Sequence, residues 1–124
     1  MTLAHAGPTF ALTEADAALL PTDDEVAGYL RDGWYLSRKL LTDDEVDTLV
    51  AATEAFYAGA RDRTLPGRPK RLAYWTPENG DVQRHNDYIH YESDAVAEIL
   101  RKPIIGAVAA RLARAEEIRV FQST

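Results

Sequence analysis

Asp32-Gly33-Trp34-Tyr35-Leu36-Ser37-Arg38-Lys39-Leu40-Leu41-Thr42-Asp43-Asp44-Glu45-Val46 holds a helix stop, an apolar tripeptide and a helix start in one short run. Gly33 follows Val26, Tyr29 and Leu30, spaced i, i+3, i+4 as on one face of a short helix, and suits that helix's left-handed cap. Trp34-Tyr35-Leu36 then reads as a short strand. Thr42-Asp43-Asp44-Glu45 is a capping box. The threonine hydroxyl accepts from the backbone N–H three residues on, Glu45 reaches back, and the aspartates favour the positive end of the helix dipole. Val46, Leu49, Val50, Thr53, Phe56 and Tyr57 mark the apolar face of the helix that follows, with Gly59 near its end.

The same box stands upstream at Thr22-Asp23-Asp24-Glu25, so Thr-Asp-Asp-Glu-Val occurs twice. One repeated cap does not make a solenoid. As calcium ligands these acids lack the glycine and the later bidentate glutamate of a calcium loop. Residues 1–21 read as an alanine-rich tail or arm, and residues 22–124 as one domain. Downstream, Arg61-Asp62-Arg63-Thr64-Leu65-Pro66-Gly67-Arg68-Pro69-Lys70-Arg71 is a basic connector. It is either a solvated loop or a surface for an anionic substrate. Leu72–Trp75 reads as a strand and Thr76–Asp81 as a turn. Ser93 reads as the cap of a helix with Val96, Ile99 and Leu100 on one face. Pro103 suits the first turn of the next helix, whose stripe is Ile104, Ile105, Val108, Ala109 and Leu112. Ile118-Arg119-Val120-Phe121-Gln122 alternates like an opening strand.

Composition narrows the function. The absence of cysteine excludes disulfides, thiolate nucleophiles and cysteine-ligated zinc. A formal net charge of −6 opposes broad binding to nucleic acid or anionic membranes. No apolar run approaches the roughly 18 residues of a membrane span. The N-terminal stretch carries Glu14 and Asp16 and lacks a basic leader, so the expected compartment is cytoplasmic.

Of the three histidines, His5 falls in the tail, and His85-Asn86-Asp87 is an H-x-D. On a strand, positions i and i+2 share a face, so His85 and Asp87 would supply two-thirds of a 2-His-1-carboxylate iron site. His90 lies five residues on, facing the other way, so no complete iron site is legible; the other reading of His85–Asp87 is a polar groove or loop lining. No phosphate loop, nucleophile elbow or activated serine is present. Tyr74, Trp75, Tyr88 and His90 either face a small-molecule substrate or close the core as half-buried aromatics.

The order of these features resembles the opening of phytanoyl-CoA dioxygenase-type oxygenases, over about residues 22–124. In that family a short helix ends in an aspartate-glycine-aromatic turn, as at Asp32-Gly33-Trp34-Tyr35-Leu36. A strand and an S/T-x-x-E-capped helix follow, as at Leu40–Val46, and later helices lead to a strand similar to Ile118–Thr124. The resemblance implies an α+β fold, with helices and short strands leading into a double-stranded β-helix (jelly-roll) core mostly beyond residue 124. It implies Fe(II) and 2-oxoglutarate as cofactors, oxidation of a small molecule, and contact of Gln122 with 2-oxoglutarate. The family's iron H-x-D follows the strand, so His85-Asn86-Asp87 does not correspond to it. Chain end and resemblance together lead us to expect the N-terminal portion of a longer oxygenase, inactive on its own. The alternative is a non-catalytic α+β binding or regulatory module.

Overall fold

The computed structural model describes residues 12–64 and 75–123. Its elements are helices: α1 (Glu14–Ala17), α2 (Asp23–Asp32), α3 (Asp43–Tyr57), α4 (Asp94–Leu100) and α5 (Pro103–Ala113), with 3-10 turns at Pro77–Asn79 and Ile89–Tyr91. They belong to two compact units, Met1–Leu40 with Pro103–Ile118, and Leu41–Lys102 with Arg119–Thr124. None of the helices is long and apolar enough to cross a membrane.

The expected α+β fold is overturned: no strand or sheet forms among the described residues. Trp34–Leu36, Trp75 and Ile118–Gln122 are non-helical but build no ladder, and Leu72–Tyr74 lie outside the described residues. The physical reason is that β-branched and aromatic residues favour a pleated, half-buried surface. A strand exists only where a neighbouring backbone takes its N–H and C=O groups. Trp34 and Leu36 instead stand 68% and 82% exposed. The β-helix core implied by the resemblance finds no strand leading into it among the described residues.

In the first unit, α2 starts and stops where local chemistry dictates. The Thr22 hydroxyl accepts from Glu25 N at 3.2 Å, and Thr22 N donates to Glu25 Oε2 at 2.8 Å. At the other end Gly33 takes φ 80°, ψ 8° and donates to the Tyr29 carbonyl, a conformation that spares glycine the Cβ penalty. Arg38 fastens the following run onto the helix start through two bonds to Glu25, at 3.1 and 3.2 Å. α5 begins at Pro103, as its missing N–H and fixed φ permit, and packs on α2. Val26, Ile104 and Val108 are buried there, as is Pro21.

In the second unit, Phe56 of α3, Ile89 and Val96 of α4 form the buried cluster, with Leu49, Ala52, Tyr57 and Leu100 packed against it. The inward face of α3 is thus Leu49, Ala52, Thr53, Phe56 and Tyr57, of which Phe56 is buried and the others half-buried, while Val46 and Val50 of the expected face are exposed. Gly59, at φ 106°, closes α3 while the N–H groups of Gly59 and Ala60 return to the carbonyls of Phe56 and Ala55. Ser93 occupies the cap position of α4 but makes no capping bond. The Asp62 carboxylate, thirty-two residues upstream, accepts from Asp94 N at 2.7 Å instead.

Candidate functional site

Ile89 positions the site. Its side chain is buried against Phe56 and Val96, which anchors the Ile89–Tyr91 turn and fixes the residues on either side. Tyr88, just before the turn, is held at φ 60°, ψ 34°. That left-handed conformation costs a non-glycine residue about 1–2 kcal/mol. Burial of Ile89 alone, worth about 1.5–3 kcal/mol, offsets it.

Onto this turn the C-terminal run is fastened by four hydrogen bonds. Tyr88 N donates to the Ser123 carbonyl at 2.7 Å, and His90 N to Ser123 Oγ at 3.3 Å. Ser123 Oγ lies 2.6 Å from His90 Nδ1. Gln122 Nε2 donates to Asp87 Oδ1 at 2.5 Å. Three residues singled out by sequence, Tyr88, His90 and Gln122, are therefore neighbours despite a separation of more than thirty positions. The His90 ring lies 4.2 Å from that of Tyr91 and 6.5 Å from that of Tyr88, while the exposed Gln122 amide meets the Asp87 carboxylate beside this turn. His90 is buried, and burial, with the positive charge of Arg101 added, pushes its imidazole below the ordinary histidine value.

Trp75 belongs to a second aromatic group. Its ring meets Tyr57 edge-on at 5.6 Å, its indole N–H donates to the Gly80 carbonyl, and its backbone N–H donates to the buried Asn86 side chain. Arg84 lies over the Tyr57 ring and pairs with Glu54 through two bonds, at 2.8 and 3.0 Å. The hydrogen bond from Arg84 holds the Glu54 carboxyl below its usual range. Tyr74 and His5 lie outside the described residues.

His85 Nε2 does approach Asp87 Oδ1, at 3.3 Å. No group of three histidine, aspartate or glutamate side chains able to hold a metal exists among the described residues. The donors among the described residues therefore do not fit an iron centre, and no step through iron follows from them. The basic connector is also partly accounted for. Arg61 lies 3.4 Å over the Phe56 ring and 3.3 Å from the buried Glu92 carboxylate, and Arg63 pairs with Asp94 at 2.5 Å. Arg68, Lys70 and Arg71 lie outside the described residues.

Sequence reasoning missed Ser123, Asp87 as the partner of Gln122, Asn86 as the partner of Trp75, and the Arg61–Glu92 pair. No local motif marks them, because each acts through a residue distant in the chain. Compared with models of known families, with curated proteins and with solved structures, the sequence matches none.

Proposed function

We propose that this chain is a portion of an Fe(II)/2-oxoglutarate-dependent oxygenase acting on a small molecule, with the iron ligands supplied by residues other than those described. The observation that supports the reading is the convergence of Gln122 with Tyr88 and His90 on one turn. A side-chain amide there carries two N–H donors and a carbonyl acceptor. One N–H is spent on Asp87, which orients the group. The exposed remainder is suited to a carboxylate oxygen of 2-oxoglutarate, and the Tyr88 and Tyr91 rings offer apolar walls to a substrate. In this reading the chain's own residues bind and orient, and the oxidising chemistry belongs to the iron and 2-oxoglutarate.

The test is succinate formation. The whole gene product is loaded anaerobically with Fe(II) and 2-oxoglutarate, offered a panel of small acids, alcohols and thioesters, and then given air. Succinate above the no-protein background is expected from the gene product, and background alone from the 124-residue chain. Background from both defeats the reading. The exposed Trp34 and Leu36 favour a second reading, a binding module, under which both samples stay at background.

A further inference from the structure

A serine hydroxyl is a weak nucleophile until a base within hydrogen-bond reach can take its proton. Ser123 Oγ lies 2.6 Å from the imidazole Nδ1 of His90, well inside that reach. The same oxygen accepts from His90 N at 3.3 Å, which leaves its own proton to be donated to Nδ1. The imidazole then carries its proton on Nε2, and Nδ1 is the free base. The Tyr88 N–H holds the Ser123 carbonyl at 2.7 Å, so the serine backbone is fixed beside the ring. Tyr88 does this from φ 60°, and backbone strain of that kind gathers at functional sites. The ring itself is oriented by packing, 4.2 Å from that of Tyr91. His90 is buried, whereas Ser123 is half-buried beside the exposed Phe121 and Gln122.

We propose that Ser123 is a nucleophile and His90 its general base, a dyad that takes an acyl group from an activated ester. No pattern in the sequence around Ser123 marks it, because its base stands thirty-three residues upstream. In the first half of the reaction, Oγ bonds to the ester carbonyl carbon while its proton passes to Nδ1. The bond to the leaving oxygen then breaks, and that oxygen takes the proton from Nδ1 and departs as the alcohol. In the second half, water attacks the acyl carbon with Nδ1 again as base. The proton returns to Oγ as the carboxylic acid leaves. Burial, with Arg101 added, holds the imidazole below the ordinary histidine value, so at neutral pH it is uncharged and able to accept. The N–H groups of Tyr88 and His90 are both spent on Ser123, so neither receives the oxyanion and the rate rests on the base. The stacked rings of Tyr88 and Tyr91 on the same turn suit an apolar acyl group. The inference does not depend on the oxygenase reading.

The test uses a dialkyl fluorophosphonate on the 124-residue chain. Oγ displaces fluoride from phosphorus, and the serine proton passes to His90. One adduct per chain is expected, placed on Ser123 by peptide mass spectrometry, and Ser37→Ala should label at the same rate. Ser123→Ala should not label, and His90→Gln should label at least about a hundredfold more slowly. Exchange of the α3 amides around Phe56 checks that His90→Gln is folded. If it is not, the ring nitrogens of the unaltered chain decide by NMR at neutral pH: a proton on Nε2 is expected. p-Nitrophenyl butyrate should release nitrophenol above the no-protein rate with the unaltered chain and at that rate with Ser123→Ala. An unmodified Ser123 overturns the proposal. So does a folded His90→Gln that labels at the unaltered rate, a proton on Nδ1 instead of Nε2, or nitrophenol release that Ser123→Ala leaves unchanged.

Discussion

Thr22-Asp23-Asp24-Glu25-Val26 and Thr42-Asp43-Asp44-Glu45-Val46 are the same five residues in two different units. Their caps agree to the tenth of an ångström: in each the threonine hydroxyl accepts at 3.2 Å and the glutamate accepts from the threonine N–H at 2.8 Å. Their last residues do not agree. Val26 is 6% exposed and Val46 is 42% exposed. The outer partners differ too, since Glu25 meets Arg38 and Glu45 meets Lys102 at 2.7 Å. A cap closes within four residues of chain and needs nothing else. Burial of the valine depends on what the tertiary structure lays across it, and α5 packs on α2.

The largest break in this symmetry should come from the valines. Val26→Ala removes buried methyl groups and should cost about 2 kcal/mol, whereas Val46→Ala should stay within about 0.5 kcal/mol. Because the chain has two compact units, stability is best read residue by residue, from the exchange of α2 and α3 amides. Equal losses at the two valines would show that the burial difference carries no energy.

Next in size, and expected to be equal, are the caps. Thr22→Ala and Thr42→Ala should each destabilise their own helix by about 0.5–2 kcal/mol, since each leaves an N-terminal backbone donor unsatisfied. Losses that differ by more than about twofold would mean that tertiary contacts, and not the local box, hold one of the two starts.

The smallest effect separates the glutamates. Both carboxyls lie below their usual range. The backbone N–H of Thr22 is the chief cause for Glu25, with Arg38 second, while the Lys102 ammonium is the chief cause for Glu45. Lowered acids stabilise above the ordinary carboxylate value and lose that contribution as pH falls through their folded values. Lys102→Met should therefore raise the Glu45 titration more than Arg38→Met raises that of Glu25, read from the side-chain carboxyl carbons by NMR. The reverse order would contradict the assignment of causes.

Legibility followed range. Both boxes, the Gly33 cap, the Ser93 position before α4 and the Pro103 start could be read from neighbours within one or two turns. The α3 face could be read only approximately, because its period admits several rotations and only packing against Ile89 and Val96 selects Leu49, Ala52, Phe56 and Tyr57. The strands failed for a related reason, since propensity describes one chain and a ladder requires two. For the candidate site, Tyr88, His90 and Gln122 could be named from sequence, but neither their meeting nor the part of Ser123 could.

By itself, then, the amino-acid order determined where α2 and α3 begin and where α2 ends, because a threonine hydroxyl, a glutamate arm and an αL glycine act over three or four residues of chain. The tertiary structure alone decided which side chains those helices bury and which polar atoms meet. Asp62 caps α4, Arg61 neutralises Glu92 and His90 holds Ser123 across about thirty residues of chain. Contacts at that separation close long loops, and only the packing of the apolar cluster compensates the entropy of doing so.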